Sequence, residues 1–372
     1  MSALVHLIAG ARPNFMKIAP VVRALDARSS EFRYRIVHTG QHYDRQMSDV
    51  FFEELGIPAP DRHLDAGGGS HAEQTAKIMM AYEPIAMEER PDATVVVGDV
   101  NSTVACSLVA KKLHIPVAHI EAGLRSGDRR MPEEINRLVT DAISDLFFAT
   151  EPAGLENLLA EGKDEASVHF VGHVMVDNLL YQLERLGRVG DEGLEARDIK
   201  AELERYGVVT MHRPSNVDDP QVLGGIMAAL GRISESLPLI FPVHPRTRAG
   251  LEAAQIPIPA GIKLIGPLSY MAFLNLWKDA TIVLTDSGGL QEETTALSVP
   301  CLTMRENTER PVTVAEGTNQ LVGTDPALIE SAARNVLAGD VPTGRRPELW
   351  DGRAAERIVE HIAQFLGRTV KA

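Results

Sequence analysis

Cysteine is nearly absent from this chain of 372 residues: Cys106 and Cys301 stand far apart, each in an apolar setting. That argues against a disulfide framework and against a cysteine-based zinc site. His42, His63 and His71 have no metal-ligand spacing, and no CxxC pattern occurs, so no metal is expected. Long hydrophobic runs are missing too. No apolar stretch reaches the roughly 20 residues of a membrane span. The start of the chain lacks a basic region, a long apolar stretch and a small-residue cleavage site, so no signal peptide is expected and a cytoplasmic location is the plain reading. Positive charge is in deficit, with 37 Lys and Arg against 51 Asp and Glu and a net charge of −14. This balance argues against nucleic-acid or anionic-membrane partners. It still allows a small anion, which a few local cations and a helix N-terminus suffice to bind. There is no GxSxG elbow and no Walker loop. "GGGS" at 67–70 has no Lys or Thr at phosphate-loop spacing and reads as a flexible helix entry.

What is present is alternation. Apolar runs "LVHLIA", "YRIVHT", "TVVVGD", "PVAHIE" and "LFFAT" are separated by helical patterns such as "AEQTAKIMMAYEPIAMEE" and "SLVAKKLH". Near-continuous apolar strands belong to parallel sheets covered on both faces. Repeated βα units imply right-handed crossovers. The pattern changes around residues 168–206, and a second series follows: "GVVTMH", "LPLIFPVH", "IKLIG", "ATIVLTD", "VPCLTM" and "NQLVG". "AAERIVEHIAQFL" closes the chain as an amphipathic helix. The expectation is an α/β protein of two Rossmann-like domains with a central cleft. The first domain is 1–170, with the C-terminal helix at about 353–372 packing back on it. The second is 171–352.

Ligands of open α/β sheets bind beyond the carboxyl ends of the strands. At those ends the sequence places Arg12, then Gln41 and His42, then Gly98-Asp99, then Glu121. The second series adds His212-Arg213, His244, Asp286-Ser287-Gly288-Gly289 and Arg305. Polar strand ends are ordinary, because loops are polar. Eight ends carrying His, Arg and acids are less so. In "TDSGGLQEE", two glycines and a helix start near Leu290 would bind a phosphate with Ser287, and Glu292 or Glu293 could hold vicinal hydroxyls. A capped helix with dipole-complementing acids fits that stretch equally well. In "HIEAGLRSGDRRMPEEINR", Glu121 ends a strand and Pro132-Glu133-Glu134 opens a helix carrying Asn136 and Arg137. With Asp99 these acids gather near one strand edge, where crowded carboxylates can exchange protons with a substrate. One of the Glu133/Glu134 pair fits dipole complementation comfortably.

Taken in order, "GARPNFMKIAP", "TGQH", "GDVNST", "HIEAGLRSGD", "MPEEINR", "TMHRPSN", "PVHP", "LTDSGGLQEE" and "MRENTERP" resemble the nonhydrolysing UDP-N-acetylglucosamine 2-epimerase family, essentially end to end. The resemblance implies the glycosyltransferase-B fold, with the last helix crossing back to the first domain. It implies reversible inversion at C2 of UDP-GlcNAc to UDP-ManNAc, by elimination of UDP to a 2-acetamidoglucal and re-addition, without a cofactor. It further implies a cytoplasmic homodimer serving cell-surface polysaccharide synthesis. Carried onto this chain, Arg12, Lys17, His212 and Ser287-Gly288-Gly289 match positions near the diphosphate. Glu293 matches the ribose-binding acid, Phe273 is a candidate to pack on uracil, and Arg310 matches another cleft residue. Asp99, Glu121 and Glu133 match the acids of proton transfer. His212 and Lys17 belong to the same reacting set, while Gln41, His42, Arg137 and His244 are further cleft candidates.

Two departures stand out. Many members carry Glu where this chain has Asn14, so the first turn loses a negative charge. Some members are activated by substrate in a neighbouring pocket. Gln41 of that pocket is kept here, but Tyr43-Asp44 and the Gly67–Gly69 run differ, which argues against activation. The differences fit a modified sugar such as a diacetamido uronic acid equally well. A hydrolysing epimerase, a retaining UDP-sugar glycosyltransferase and a noncatalytic UDP-sugar-binding protein are the alternatives. The glycosyltransferase would not need the acids of the first half.

Overall fold

The apolar runs become strands in a computed structural model that describes residues 2–40, 52–341 and 344–369, where thirteen strands form. Clustering of the backbone gives two compact units, Met1–Tyr181 with Glu348–Ala372, and Gln182–Pro347.

In the first unit the strands are β1 (Ala3–Ala9), β2 (Phe32–His38), β3 (Arg62–His63), β4 (Ala93–Val97), β5 (Val117–Ile120), β6 (Leu146–Ala149) and β7 (Val168–Phe170). They pair in parallel in the order β3-β2-β1-β4-β5-β6-β7. β3 has no apolar run to announce it, being two exposed residues at the sheet edge. Every residue of β4, β5 and β6 is buried, as both-face coverage requires. The second unit repeats the plan with β8 (Gly207–Thr210), β9 (Leu239–Pro242), β10 (Ile262–Ile265), β11 (Ile282–Thr285), β12 (Cys301–Thr303) and β13 (Asn319–Leu321). Its order is β10-β9-β8-β11-β12-β13, again parallel. In each sheet the winding reverses beside the first strand, between β1 and β4 and between β8 and β11. Helices leave opposite faces there and open a crevice at the carboxyl ends.

The chain returns to the first unit through the helix Ala354–Thr369. Asp177 starts it by accepting the N–H groups of Ala354 and Ala355 at 3.1 and 2.7 Å. Those are two of the donors that a helix start leaves unpaired. Burial pushes the Asp177 carboxyl up to about 6 despite these bonds. Ile358, Val359 and Ile362 are buried in one cluster with Ile18, Val22 and Leu25 of the helix Arg12–Asp26. Each such side chain stabilises by roughly 2 kcal/mol. Gly172 makes the preceding turn possible, because its φ is +86° and a Cβ there would lie 2.0 Å from the Leu349 carbonyl oxygen.

The imidazole of His361 stacks on that of His169 with centroids 3.8 Å apart and planes 11° from parallel. Burial holds His361 below its ordinary value, partly opposed by Glu360. The fold therefore favours the neutral ring, while the unfolded chain takes up a proton near pH 6.5. This contribution to stability is present above pH 6.5 and is lost as pH falls from there toward the folded value. His361→Phe keeps the stack without the titration. The urea midpoint of the wild type is expected to fall more than that of the variant between pH 7.5 and 5.5, and parallel curves would refute the assignment.

Candidate functional site

The first unit's site begins at the β1 turn. The helix Arg12–Asp26 opens with Arg12 and Pro13, and no acid occupies its first turn, so its positive end is uncompensated. Arg12 is exposed. Asn14 is buried, and its Oδ1 accepts the N–H groups of Gly10 and Ala11 at 3.3 and 2.9 Å. Its Nδ2 donates to the Val97 carbonyl at 3.1 Å. One amide thus ties the end of β1 to the end of β4 across the point where the winding reverses. A carboxylate could make the first two bonds but not the third. The neutral residue at this departure therefore does structural work that a glutamate cannot.

One turn further, Lys17 Nζ lies 2.5 Å from Glu121 Oε2. Both side chains are largely buried. Glu121 adopts φ +68°, a left-handed conformation that favours glycine. It is held there by the N–H groups of Glu121 and Ala122, which both donate to the Phe148 carbonyl at 3.1 and 3.2 Å. Its Oε1 is buried without a partner among the described residues. Such outliers cluster at functional sites. Gly98 lies against this pair, since a Cβ there would sit 3.4 Å from Glu121 Oε2 and 3.5 Å from Lys17 Nζ. Asp99 follows directly, half-buried, with its Oδ2 3.2 Å from Arg137 Nε and its carbonyl accepting Asn136 Nδ2 at 2.8 Å.

The structure separates Glu133 from Glu134. Glu134 is buried and accepts Ser126 N–H, Ser126 Oγ, Gly127 N–H and Arg137 Nη1 at 2.9–3.1 Å. Burial would raise its pKa, but these bonds outweigh that and hold it below the ordinary carboxylate range. Glu134 is therefore a clasp for the "RSGD" loop. Glu133 is half-buried and forms no ion pair among the described residues.

In the second unit Asp286 is the hub. It is fully buried, and its carboxylate accepts His212 N–H at 2.9 Å, Arg213 N–H at 2.9 Å and Asn216 Nδ2 at 3.3 Å. His212 Nδ1 lies 3.1 Å from its Oδ1, and the His212 side chain is 45% exposed. Burial opposes the Asp286 charge, but these donors hold its pKa below the ordinary value. The helix Gly288–Ala296 starts beside it with no acid in its first turn and no capping bond from Ser287 Oγ. A Cβ at Gly288 would meet the Arg310 guanidinium at 3.3 Å, and one at Gly289 would meet open space. An open helix start flanked by Arg310 and His212 is suited to an anion. Glu292 pairs with Arg310 Nε. Glu293 is buried and accepts the Tyr270 hydroxyl at 2.8 Å, one turn before half-buried Phe273 on the helix Tyr270–Trp277.

His244 caps the helix Pro245–Ala253 through Arg246 N–H at 3.2 Å, with its ring 5.9 Å from that of His212. Arg305 is buried against Glu309, which it draws down to about 2 although burial pulls the other way. Gln41 and His42, with Tyr43 and Asp44, lie outside the described residues. Sequence reasoning missed Asp286 as an organiser and missed Tyr270. The only signal for Tyr270 was its place ahead of Phe273 in "SYMAFL". Among the described residues no group of three or more His, Cys, Asp or Glu could hold a metal. No helix there is long and apolar enough to cross a membrane.

Asn14→Asp tests the bridge between β1 and β4. It replaces the donor to Val97 by an anionic oxygen and is expected to cost about 1–3 kcal/mol, read as a lower urea midpoint. An unchanged midpoint would mean that the amide nitrogen does not hold β4.

Residues 23–363 match the family model described as UDP-N-acetylglucosamine 2-epimerase. The crystal structure of Methanocaldococcus jannaschii UDP-GlcNAc 2-epimerase in complex with UDP-GlcNAc and UDP is 40% identical, with a TM-score of 0.84 over 97% of this chain and 99% of that one. The Neisseria meningitidis UDP-GlcNAc 2-epimerase bound to UDP-GlcNAc is 29% identical, with a TM-score of 0.87 over 97% and 100% of the two chains. The UDP-2,3-diacetamido-2,3-dideoxy-D-glucuronate 2-epimerase of Pseudomonas aeruginosa is 40% identical over 362 residues, 96% of this chain and 99% of that protein. With two parallel sheets, and neighbours of the glycosyltransferase-B-like fold, the chain belongs to the UDP-N-acetylglucosamine 2-epimerase family of isomerases.

Proposed function

We propose that the protein inverts C2 of UDP-GlcNAc to give UDP-ManNAc, through elimination and re-addition of UDP. The observation that carries this reading is Glu121. It is a buried acid in a left-handed conformation, paired with Lys17 over Gly98, the residue that precedes Asp99. The C2–H bond is not acidic enough for simple deprotonation. The C1–O bond therefore breaks first, its electron pair leaving with UDP. A carboxylate then takes the C2 proton and a C1=C2 double bond forms. Return of a proton to the opposite face and re-addition of UDP at C1 complete the inversion. Asp99, Glu121 and Glu133 carry the proton transfers and stabilise the cationic sugar. Glu121 Oε1 is the oxygen best placed to receive a proton, since Oε2 is taken by Lys17.

The second unit holds the leaving group. The helix start at Ser287-Gly288-Gly289, with Arg310 and His212, offsets the diphosphate charge. Glu293, oriented by Tyr270, takes the ribose hydroxyls, and Phe273 packs on uracil. The route runs on acid–base chemistry without a cofactor. A cytoplasmic homodimer serving polysaccharide synthesis completes the reading. The Pseudomonas aeruginosa relative supports a second substrate, a UDP-diacetamido uronate handled by the same chemistry, because its identity to this chain equals that of the Methanocaldococcus enzyme.

Incubation with each UDP-sugar in D₂O, followed by NMR, distinguishes these readings. Deuterium at C2 with the epimer present is expected. Free ManNAc would indicate hydrolysis, and no C2 exchange with any UDP-hexosamine would refute epimerisation. Asp99→Asn should leave UDP affinity nearly intact while C2 exchange falls about 10²–10⁴-fold. Collapse of UDP affinity would mean that Asp99 has been given the wrong role.

A further inference from the structure

The strand that delivers Glu121 carries a histidine two residues earlier. His119 is fully buried in β5, with Nδ1 2.6 Å from Asp141 Oδ1 and Nε2 2.9 Å from the Gly98 carbonyl oxygen. Both partners are acceptors. A neutral imidazole has one N–H and would turn a lone pair toward one of them, whereas the imidazolium donates to both. Asp141, on the helix Pro132–Ile143, is fully buried as well. Its Oδ2 accepts Gly123 N–H at 3.0 Å and pairs with Arg125 at 2.8 Å. Arg125 reaches on to Glu161 at 2.7 Å.

A single chain of bonds therefore runs from the Gly98 carbonyl through His119 and Asp141 to the Gly123 N–H. It clamps the residue before Asp99 and the residue two beyond Glu121. Gly98, Glu121 and Gly123 all have left-handed φ, at +69°, +68° and +80°. The glycines take this conformation freely, but at Glu121 it persists only where the surroundings over-determine it. Gly123 cannot shift toward the neighbouring helix, since a Cβ there would already lie 2.1 Å from the Gly154 carbonyl oxygen. The charged groups facing His119 are Asp141, Glu121 with its partner Lys17, and, through Asp141, Arg125 with Glu161. Burial disfavours the imidazolium, but Asp141, the Gly98 carbonyl and Glu121 together outweigh it and hold His119 above its ordinary value.

We propose that His119 is a doubly protonated positioning residue that, with Asp141, fixes the turns presenting Asp99 and Glu121 to the reacting carbon. The positioning half rests on the epimerase reading of those acids, and the protonation half does not. With ¹⁵N-histidine-labelled full-length protein, NMR should find both ring nitrogens of His119 bonded to protons at pH 8. In Asp141→Asn one of them should lose its proton by that pH. His119→Asn should lower kcat for C2 exchange by about 10²-fold, as expected for misplaced reacting groups. Its KM for the UDP-sugar should stay within about twofold. A singly protonated His119 in the wild type at pH 8 overturns the proposal, whether or not either variant folds. So does a folded His119→Asn protein with unchanged kcat. If the wild type exchanges no C2 proton with any UDP-hexosamine, the epimerase reading fails, and the NMR result still decides the state of His119.

Discussion

The bond between Lys17 and Glu121 is the contact on which the arrangement of the first unit's strand ends depends. A glutamate buried at a strand end in a left-handed conformation is costly twice, once for the charge and once for the backbone. Lys17 offsets the first cost at 2.5 Å, and the Phe148 carbonyl, by accepting two N–H groups, offsets the second. Lys17 reaches Glu121 because Asn14, one turn earlier, fastens the start of its helix to the end of β4. The glycine at 98 leaves room for the pair to meet. Sheet topology supplies the location: β1, β4 and β5 are adjacent, so the turns that follow them share one edge.

The second unit solves a different problem on the same plan. Its edge gathers Arg213, Arg305 and Arg310 around a helix start, and like charges so placed repel one another. Acids hold them apart: buried Asp286 takes the His212-Arg213 turn, half-buried Glu309 takes Arg305, and buried Glu292 takes Arg310. What is left open is the helix N-terminus at Gly288-Gly289, a positive end with no acid in its first turn. The acids of this unit are thereby spoken for, with Glu293 held by Tyr270, whereas those of the first unit include an unpartnered oxygen on Glu121.

Membership of the family is secured along nearly the whole chain, while the sugar is not fixed by it, because relatives of equal identity are named for different sugars. Asn14 stands where the resemblance leads one to expect Glu. Its position explains why the departure is tolerated: an amide there bonds three backbone groups and links two strands. It also means that the first turn carries less negative charge beside Lys17 and Glu121.

The strand–helix alternation, the doubly wound character and the polar strand ends were legible in the sequence, because apolar runs and turn residues are local signals. So was the anion-binding look of "TDSGGLQEE". The resemblance put Glu133 rather than Glu134 among the reacting acids, while local pattern alone gave both the same place, in the first turn of one helix. Only the folded loop, which turns Ser126 and Gly127 N–H groups onto Glu134, shows that this acid is bonded within its own unit. The sequence could not show Lys17 bonded to a residue 104 positions away, Asp286 as the hub of a strand-end turn, or Tyr270 on Glu293. His119 reads in sequence as one more polar residue in a strand, and its two acceptors come from other segments of the chain. Local pattern determined which elements form and where their ends lie. Which side chains are paired there was decided by tertiary structure, because a hydrogen bond between distant segments leaves no periodicity to read.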